Sequence, residues 1–164
     1  MVITKKIEID MGHCVTNHNS NCKHLHGHRY RIIAAVDGEI IVNSGASNEG
    51  MVIDFSNLKE ALTEVIDKPF DHAFVIWKND VRAPILQEAH NKWNNDPNKF
   101  HVVSFVPTAE NLAKYWFELL EKHLRDNYSI ELQQLEVYET PTSSAIYTKP
   151  QFHTNLDSPH NKRI

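Results

Sequence analysis

At 164 residues, with 41% apolar content and a formal charge of −4, the chain has the length of one ordinary domain, and a single core is the expectation. It carries no dense Lys/Arg block to mark a duplex nucleic acid or an anionic membrane as partner. No apolar run approaches the roughly 20 residues that span a bilayer, and the start of the chain lacks the apolar core of a signal peptide. The expectation is a soluble, cytoplasmic protein that binds a small molecule and makes no direct contact with nucleic acid or membrane.

Ile3, Ile7, Ile9 and Met11 share one parity, which predicts a half-buried strand whose inward face continues to His13. A loop rich in Asn, Ser and Cys follows. A second strand begins at His26, with Tyr30, Ile32, Ala34 and Val36 on the face of His26 and His28. If the two strands are antiparallel neighbours, His13 meets that histidine pair. Residues 43–50 form a turn cluster between short strands at 39–42 and 51–53, so a hairpin is predicted. Ser56 is the expected cap of a helix whose Leu58, Ala61, Leu62, Val65 and Ile66 follow the 3.6 period up to Pro69. Residues 91–99 read as a polar loop and 100–106 as a strand. Thr108 caps a second helix, with Leu112, Trp116, Leu120 and Leu124 at four-residue spacing. The last strand, 130–138, shifts its apolar parity near Gln133 and Gln134, as a bulge would make it do. Sequentially pairing strands with helices gathered on one face describe an α+β layer. The expected domain covers residues 1–147, with a polar tail at 148–164.

Two cysteines, Cys14 and Cys22, cannot build a disulfide framework. Five of the 11 histidines fall between His13 and His28, and histidine dense beside cysteine reads as a metal site. In His26-Gly27-His28 two imidazoles project from one strand face, with a glycine between them where the backbone would run close to a ligand. His13 completes the three-nitrogen set of a catalytic zinc, leaving a fourth position open. His18 and His24 read instead as hydrogen-bonded structural residues. The alternative is a closed structural site with Cys14 or Cys22 as fourth ligand, although a domain of this size needs no metal to fold.

Read as a unit, Cys22-Lys23-His24-Leu25-His26-Gly27-His28 resembles the Cys-x-x-x-His-Gly-His motif of the 6-carboxy-tetrahydropterin synthases, within the 6-pyruvoyl-tetrahydropterin synthase superfamily. Further elements follow in the family's order: Asp54-Phe55-Ser56-Asn57-Leu58-Lys59, Asp71-His72, Pro107-Thr108-Ala109-Glu110-Asn111 and Glu139-Thr140. The resemblance spans residues 2–147. It implies the tunnelling fold, an antiparallel four-stranded sheet with two helices on one face, whose sheets join around a channel in a homo-oligomer. A hexamer is expected, with sites shared between subunits. It also implies a zinc-dependent carbon–carbon lyase that takes 7,8-dihydroneopterin triphosphate to 6-carboxy-5,6,7,8-tetrahydropterin, acetaldehyde and triphosphate, in 7-deazaguanine (queuosine) synthesis.

Carried over residue by residue, the resemblance makes His13, His26 and His28 the zinc ligands and Cys22 a proton-transfer group. His72, oriented by Asp71, is the second proton-transfer group, and Glu139 anchors the pterin ring. Thr108 and Glu110 are further substrate-binding candidates, though both also suit a plain helix start. Without the resemblance, Asp71-His72 reads as an ordinary loop pair and Glu139 as a solvated strand end. Lys23 and Arg29 lie nearby in sequence and receive no role. The chain departs from the family at Ala73-Phe74-Val75, in the length of residues 77–106 and in its tail. The 6-pyruvoyl synthases space the cysteine further from His-Gly-His, and a folate branch has glutamate in place of Cys22. A rival of another class is a non-catalytic zinc-stapled binding module.

Overall fold

A computed structural model describes residues 1–42, 45–93 and 96–149. Asn43 and Ser44 of the turn cluster, two residues of the polar loop and nearly all of the tail lie outside the described residues. The strands are β1 (Val2–His13), β2 (His26–Asp37), β3 (Phe74–Trp77), β4 (Phe100–Val103), β5 (Glu131–Thr140) and β6 (Ser143–Thr148). The α-helices are α1 (Phe55–Leu62), α2 (Lys68–Phe70), α3 (Ala83–Trp93) and α4 (Ala109–Tyr128). No helix among the described residues is long and apolar enough to cross a membrane.

The α+β class holds, but the sheet is larger than expected and mixed. Its six strands run in the order β4-β3-β1-β2-β5-β6. β1, β2, β5 and β6 pair antiparallel, whereas β3 runs parallel to β1 and β4 parallel to β3. Parallel neighbours need a crossover, and α3 supplies it from within the long 77–106 segment. Four apolar residues in a row, as in β3, show no periodicity, and the half-exposed β6 shows little more.

β1 and β2 pair over their full length, with Ile9 opposite Tyr30, Met11 opposite His28 and His13 opposite His26. The expected parity holds. Ile9, Met11 and His13 are buried from β1, and Tyr30, Ile32, Ala34 and Val36 from β2. α1 covers this face with Leu58, Ala61 and Leu62, and α4 with Leu112, Trp116, Leu120 and Leu124. The parity shift in β5 is a bulge. Ala35 pairs with Gln134 but Val36 with Leu132, so Gln133 is the extra residue.

Five local expectations need correction. Asp54, not Ser56, caps α1; its Oδ1 accepts from the Ser56 N–H and the Ser56 hydroxyl, both at 2.7 Å. The 3.6 period breaks in a π segment (Thr63–Asp67) before the helix resumes through Phe70. Residues 39–42 and 51–53 form no strands, although the Ile41 and Gly50 N–H groups still bridge that turn to Met51 O and Ile41 O. The strand predicted over 100–106 ends at Val103, and α3 reaches into the predicted polar loop as far as Trp93.

Beyond β3, Asp80 is 2% exposed. Its carboxylate accepts from Thr16 Oγ1 at 2.6 Å and from the Arg82 backbone N–H, Nε and Nη2 at 2.8, 2.9 and 2.6 Å. The Arg82 hydrogen bonds, helped by Thr16 and opposed by burial, hold the Asp80 carboxyl far below the usual carboxylate range. A carboxyl with a depressed folded-state pKa adds stability above its unfolded value, about 3.9, and loses it as pH falls toward the folded value. Asp80→Asn is therefore expected to lower the unfolding free energy by about 1–3 kcal/mol at pH 7. In denaturant titrations that gap from the wild type should narrow steadily below about pH 4. An unchanged gap between pH 7 and pH 3 would show that the charge of Asp80 is not what stabilises the cluster.

Candidate active site

At one end of the core face the inward stripe turns from apolar to polar. β1 ends in His13, β2 begins with His26 and His28, and one ring nitrogen from each lies within 4.8 Å of the other two. Glycine between the pair serves packing: a Cβ on Gly27 would sit 3.0 Å from Met11 O. The tight approach at Gly27 is to β1's backbone.

The ring orientations are set from behind. His13 Nδ1 lies 2.7 Å from Pro107 O and His26 Nδ1 2.8 Å from His24 O. A carbonyl only accepts, so both Nδ1 atoms carry the proton and both Nε2 atoms keep a lone pair when the rings are neutral. Burial lowers the pKa of His13 and of His28, which favours the neutral, metal-binding form. His13 Nε2 and His28 Nε2 are buried without a hydrogen-bond partner. Unpaired buried nitrogens are costly, and a metal ion bound by the three rings would satisfy them. The donor set fits a borderline-soft divalent ion with an open coordination position.

Glu139 follows Val137 on the inward face of β5, and the β5–β6 register slips between Tyr138 and Thr140, leaving Glu139 without a partner on β6. Its Oε1 lies 3.6 Å from His13 Nε2. Cys22 sits half-buried in a 3₁₀ turn (Asn21–Lys23) capped by Ser20. A cleft of about 260 Å³ is lined by Cys22, Glu139, Thr108 and Glu110 together with His18. Four predicted site residues thus share one cavity. Thr108 also caps α4, as expected.

Asp71 and His72 lie elsewhere. His72 lines a different cleft of about 700 Å³, bounded also by His28, Arg29, Phe74 and Lys99. The pair is pinned to β1: Asp71 Oδ1 accepts from the Asp10 N–H at 2.9 Å, and the His72 N–H donates to Asp10 O at 2.7 Å. His72 adopts φ +58°, a left-handed conformation in which histidine is enriched. Its Nδ1 lies 2.7 Å from Asp71 Oδ2. Burial opposes ionisation of Asp71, but the hydrogen bonds from Asp10 and His72 outweigh it and hold the carboxyl below its usual range. Within one chain Cys22 and His72 therefore do not line the same cavity.

Among the described residues neither cysteine joins the histidine cluster. Cys14 is fully buried beside Asp80 and Arg82, and burial pushes its thiol pKa up. The closed site with a cysteine ligand thus lacks support. His18 bonds to Ser20, as a structural histidine should. Arg29 forks onto Asp10 at 2.9 and 2.8 Å. Sequence reading missed Tyr30 as a site neighbour. Its hydroxyl is buried without a hydrogen-bond partner, and burial, then the charge of Glu139, push its pKa up, so it stays a donor. The signal was its parity with His26 and His28.

Residues 2–150 match the family described as 6-pyruvoyl tetrahydropterin synthase. A 6-carboxy-5,6,7,8-tetrahydropterin synthase from Haemophilus influenzae is 34% identical over 145 residues, 88% of this chain and 96% of that protein. One from Aquifex aeolicus is 31% identical, again covering 88% and 96%. Among solved structures, an uncharacterised protein of Wolinella succinogenes superposes with a TM-score of 0.74 at 26% identity, covering 92% of this chain and 98% of that one. A family match across nearly the whole described chain, with relatives above 30% identity over most of both lengths, establishes that this protein belongs to the 6-pyruvoyl tetrahydropterin synthase family of enzymes.

Proposed function

We propose that the protein is a zinc-dependent 6-carboxy-tetrahydropterin synthase that converts 7,8-dihydroneopterin triphosphate to 6-carboxy-5,6,7,8-tetrahydropterin, acetaldehyde and triphosphate. The observation that carries this reading is the three-imidazole cluster, with its unpaired buried nitrogens, beside a cleft lined by Cys22 and Glu139. His13, His26 and His28 would hold the zinc, which supplies Lewis-acid polarisation of the substrate's side-chain hydroxyls. Cys22 accepts and returns a proton at its Sγ. Glu139 accepts two hydrogen bonds from the guanidine-like edge of the pterin ring, a bidentate arrangement that orients the side chain toward the histidines. Asp71 holds the His72 Nδ1 proton, so Nε2 is the atom that exchanges protons with substrate. Thr108 and Glu110 shape the cleft wall.

His72 and Cys22 line separate clefts in one chain, so this reading needs a neighbouring subunit to bring its own Asp71-His72 pair to the Cys22 cleft. Among the described residues β4 and β6 end the sheet with open edges, which proteins normally cover or pair, and a homo-hexameric ring would do both. Light scattering should show a stable oligomer at micromolar concentration; a monomer with full activity would refute the shared site. The three-residue spacing between Cys22 and His26 sets which carbon the thiol reaches and so favours the carboxy product over the pyruvoyl one. That product feeds 7-deazaguanine (queuosine) synthesis in the cytoplasm.

Elemental analysis is expected to find about one zinc per chain. His26→Ala should lose the metal and the activity together. Cys22→Ala should keep zinc and lose about 10²-fold or more in kcat. Glu139→Gln should keep zinc and raise KM. Full metal in His26→Ala, or metal loss in Cys22→Ala, would overturn the ligand assignment. Mass spectrometry of the reaction with dihydroneopterin triphosphate decides the branch: acetaldehyde and a carboxypterin are expected, and a pyruvoyl side chain without acetaldehyde would move the protein to the rival synthase.

A further inference from the structure

The loop that carries Cys22 joins β1 to β2, and little apolar packing holds it. Residues 17–25 are exposed except for Cys22, which is half-buried. Two hydrogen bonds fix the turn from outside, on successive carbonyls. The Val15 N–H donates to Cys22 O at 2.8 Å, and Arg82 Nη1 donates to Lys23 O at 2.9 Å. Val15 is local to the loop. Arg82 comes from the connection between β3 and α3, 59 residues away.

Arg82 is itself held. Its Nε and Nη2 fork onto the two oxygens of buried Asp80 at 2.9 and 2.6 Å, and Nη2 also lies 3.5 Å from Cys14 Sγ, the residue after His13. Asp80 in turn takes Thr16 Oγ1 at 2.6 Å. A bidentate guanidinium–carboxylate pair has one geometry. The third arm of the guanidinium therefore presents Nη1 to the Lys23 carbonyl at a set position. The same cluster touches both ends of the path from His13 to Cys22, at Cys14 and Thr16 on one side and Lys23 on the other.

We propose that Asp80 and Arg82 form a clamp that positions Cys22 against the histidine cluster, with Arg82 as a positioning residue for the reaction. The inference rests on the reading of Cys22 as the proton-transfer thiol. A thiol displaced by about 1 Å can cost on the order of 10²-fold in rate, so a loop without a packed core gains from an anchor whose angle is fixed at three points. Lysine cannot replace it, because an ammonium has no planar fork to hold Asp80 and reach Lys23 O together.

The test uses the zinc-loaded full-length enzyme and reads Cys22 directly, through its rate of alkylation by iodoacetamide followed by peptide mapping. Buried Cys14 serves as the internal control. Arg82→Met alone leaves a buried carboxylate unpaired and risks unfolding, so the deciding variant is Asp80→Asn/Arg82→Met, with Arg82→Lys beside it. In the double variant zinc and Cys14 protection are expected to stay, Cys22 to alkylate several-fold faster, and kcat to fall about 10-fold or more with KM within about two-fold. Arg82→Lys should fall short of full rescue in both readouts. A folded double variant whose Cys22 alkylates at the wild-type rate overturns the clamp, whatever its kcat. Wild-type turnover in Cys22→Ala would sink the reading of Cys22 instead, and accelerated alkylation in the double variant would still show the clamp holding the loop.

Discussion

The site depends on one register. His13 lies opposite His26 and Met11 opposite His28 across the β1–β2 ladder, and side chains alternate faces with a period of two. A slip of one residue would turn the two β2 histidines to the opposite face of the sheet from His13, and the apolar stripe of Tyr30, Ile32, Ala34 and Val36 would go with them. Burial of that stripe under α1 and α4 thus fixes the register, and the register places the imidazoles. The apolar core and the polar site are one structural decision.

The two regions meet at the start of α4. The Pro107 carbonyl holds the His13 ring while Thr108, the next residue, caps the helix, and Trp116 from that helix packs edge-on against Tyr30 at 6.0 Å between ring centroids. Tyr30 in turn stands edge-on to His13 and His28 at 5.9 and 5.8 Å. A helix whose inner face is core, and whose preceding residue Pro107 holds the His13 ring, carries packing stability to that ring's orientation. That explains how three imidazoles can stand together with two buried nitrogens unpaired: the cost is borne by a well-packed core, and a bound cation would relieve it.

The Asp71-His72 pair follows a different logic. Its rigidity is polar, with Asp10 gripping it from both backbone groups, Lys99 Nζ donating to Lys68 O and Asp71 O at 2.7 Å each, and His101 bonding to Pro69 O. These contacts close the carbonyls at the end of α2, which have no further helical turn to accept from them. An exposed histidine on so fixed a base lines a cleft separate from its own chain's Cys22 cleft.

Legible from the amino-acid order alone were the strand faces of β1 and β2, the two amphipathic helices, the bulge at Gln133 and the histidine triad, because each rests on periodicity or on spacing within one strand pair. The Cys-x-x-x-His-Gly-His stretch and the ordered motifs that follow it also carried the family. Three-dimensional packing alone set the parallel β3–α3–β4 extension, since four apolar residues have no period and a crossover leaves no mark in local pattern. It alone put Glu139 beside His13, separated His72 from Cys22, and joined Asp80 and Arg82 to the Cys22 loop. Those contacts link residues 59 to 126 positions apart, and no local propensity encodes a pairing at that distance; it exists only once the sheet has brought the strands' ends together.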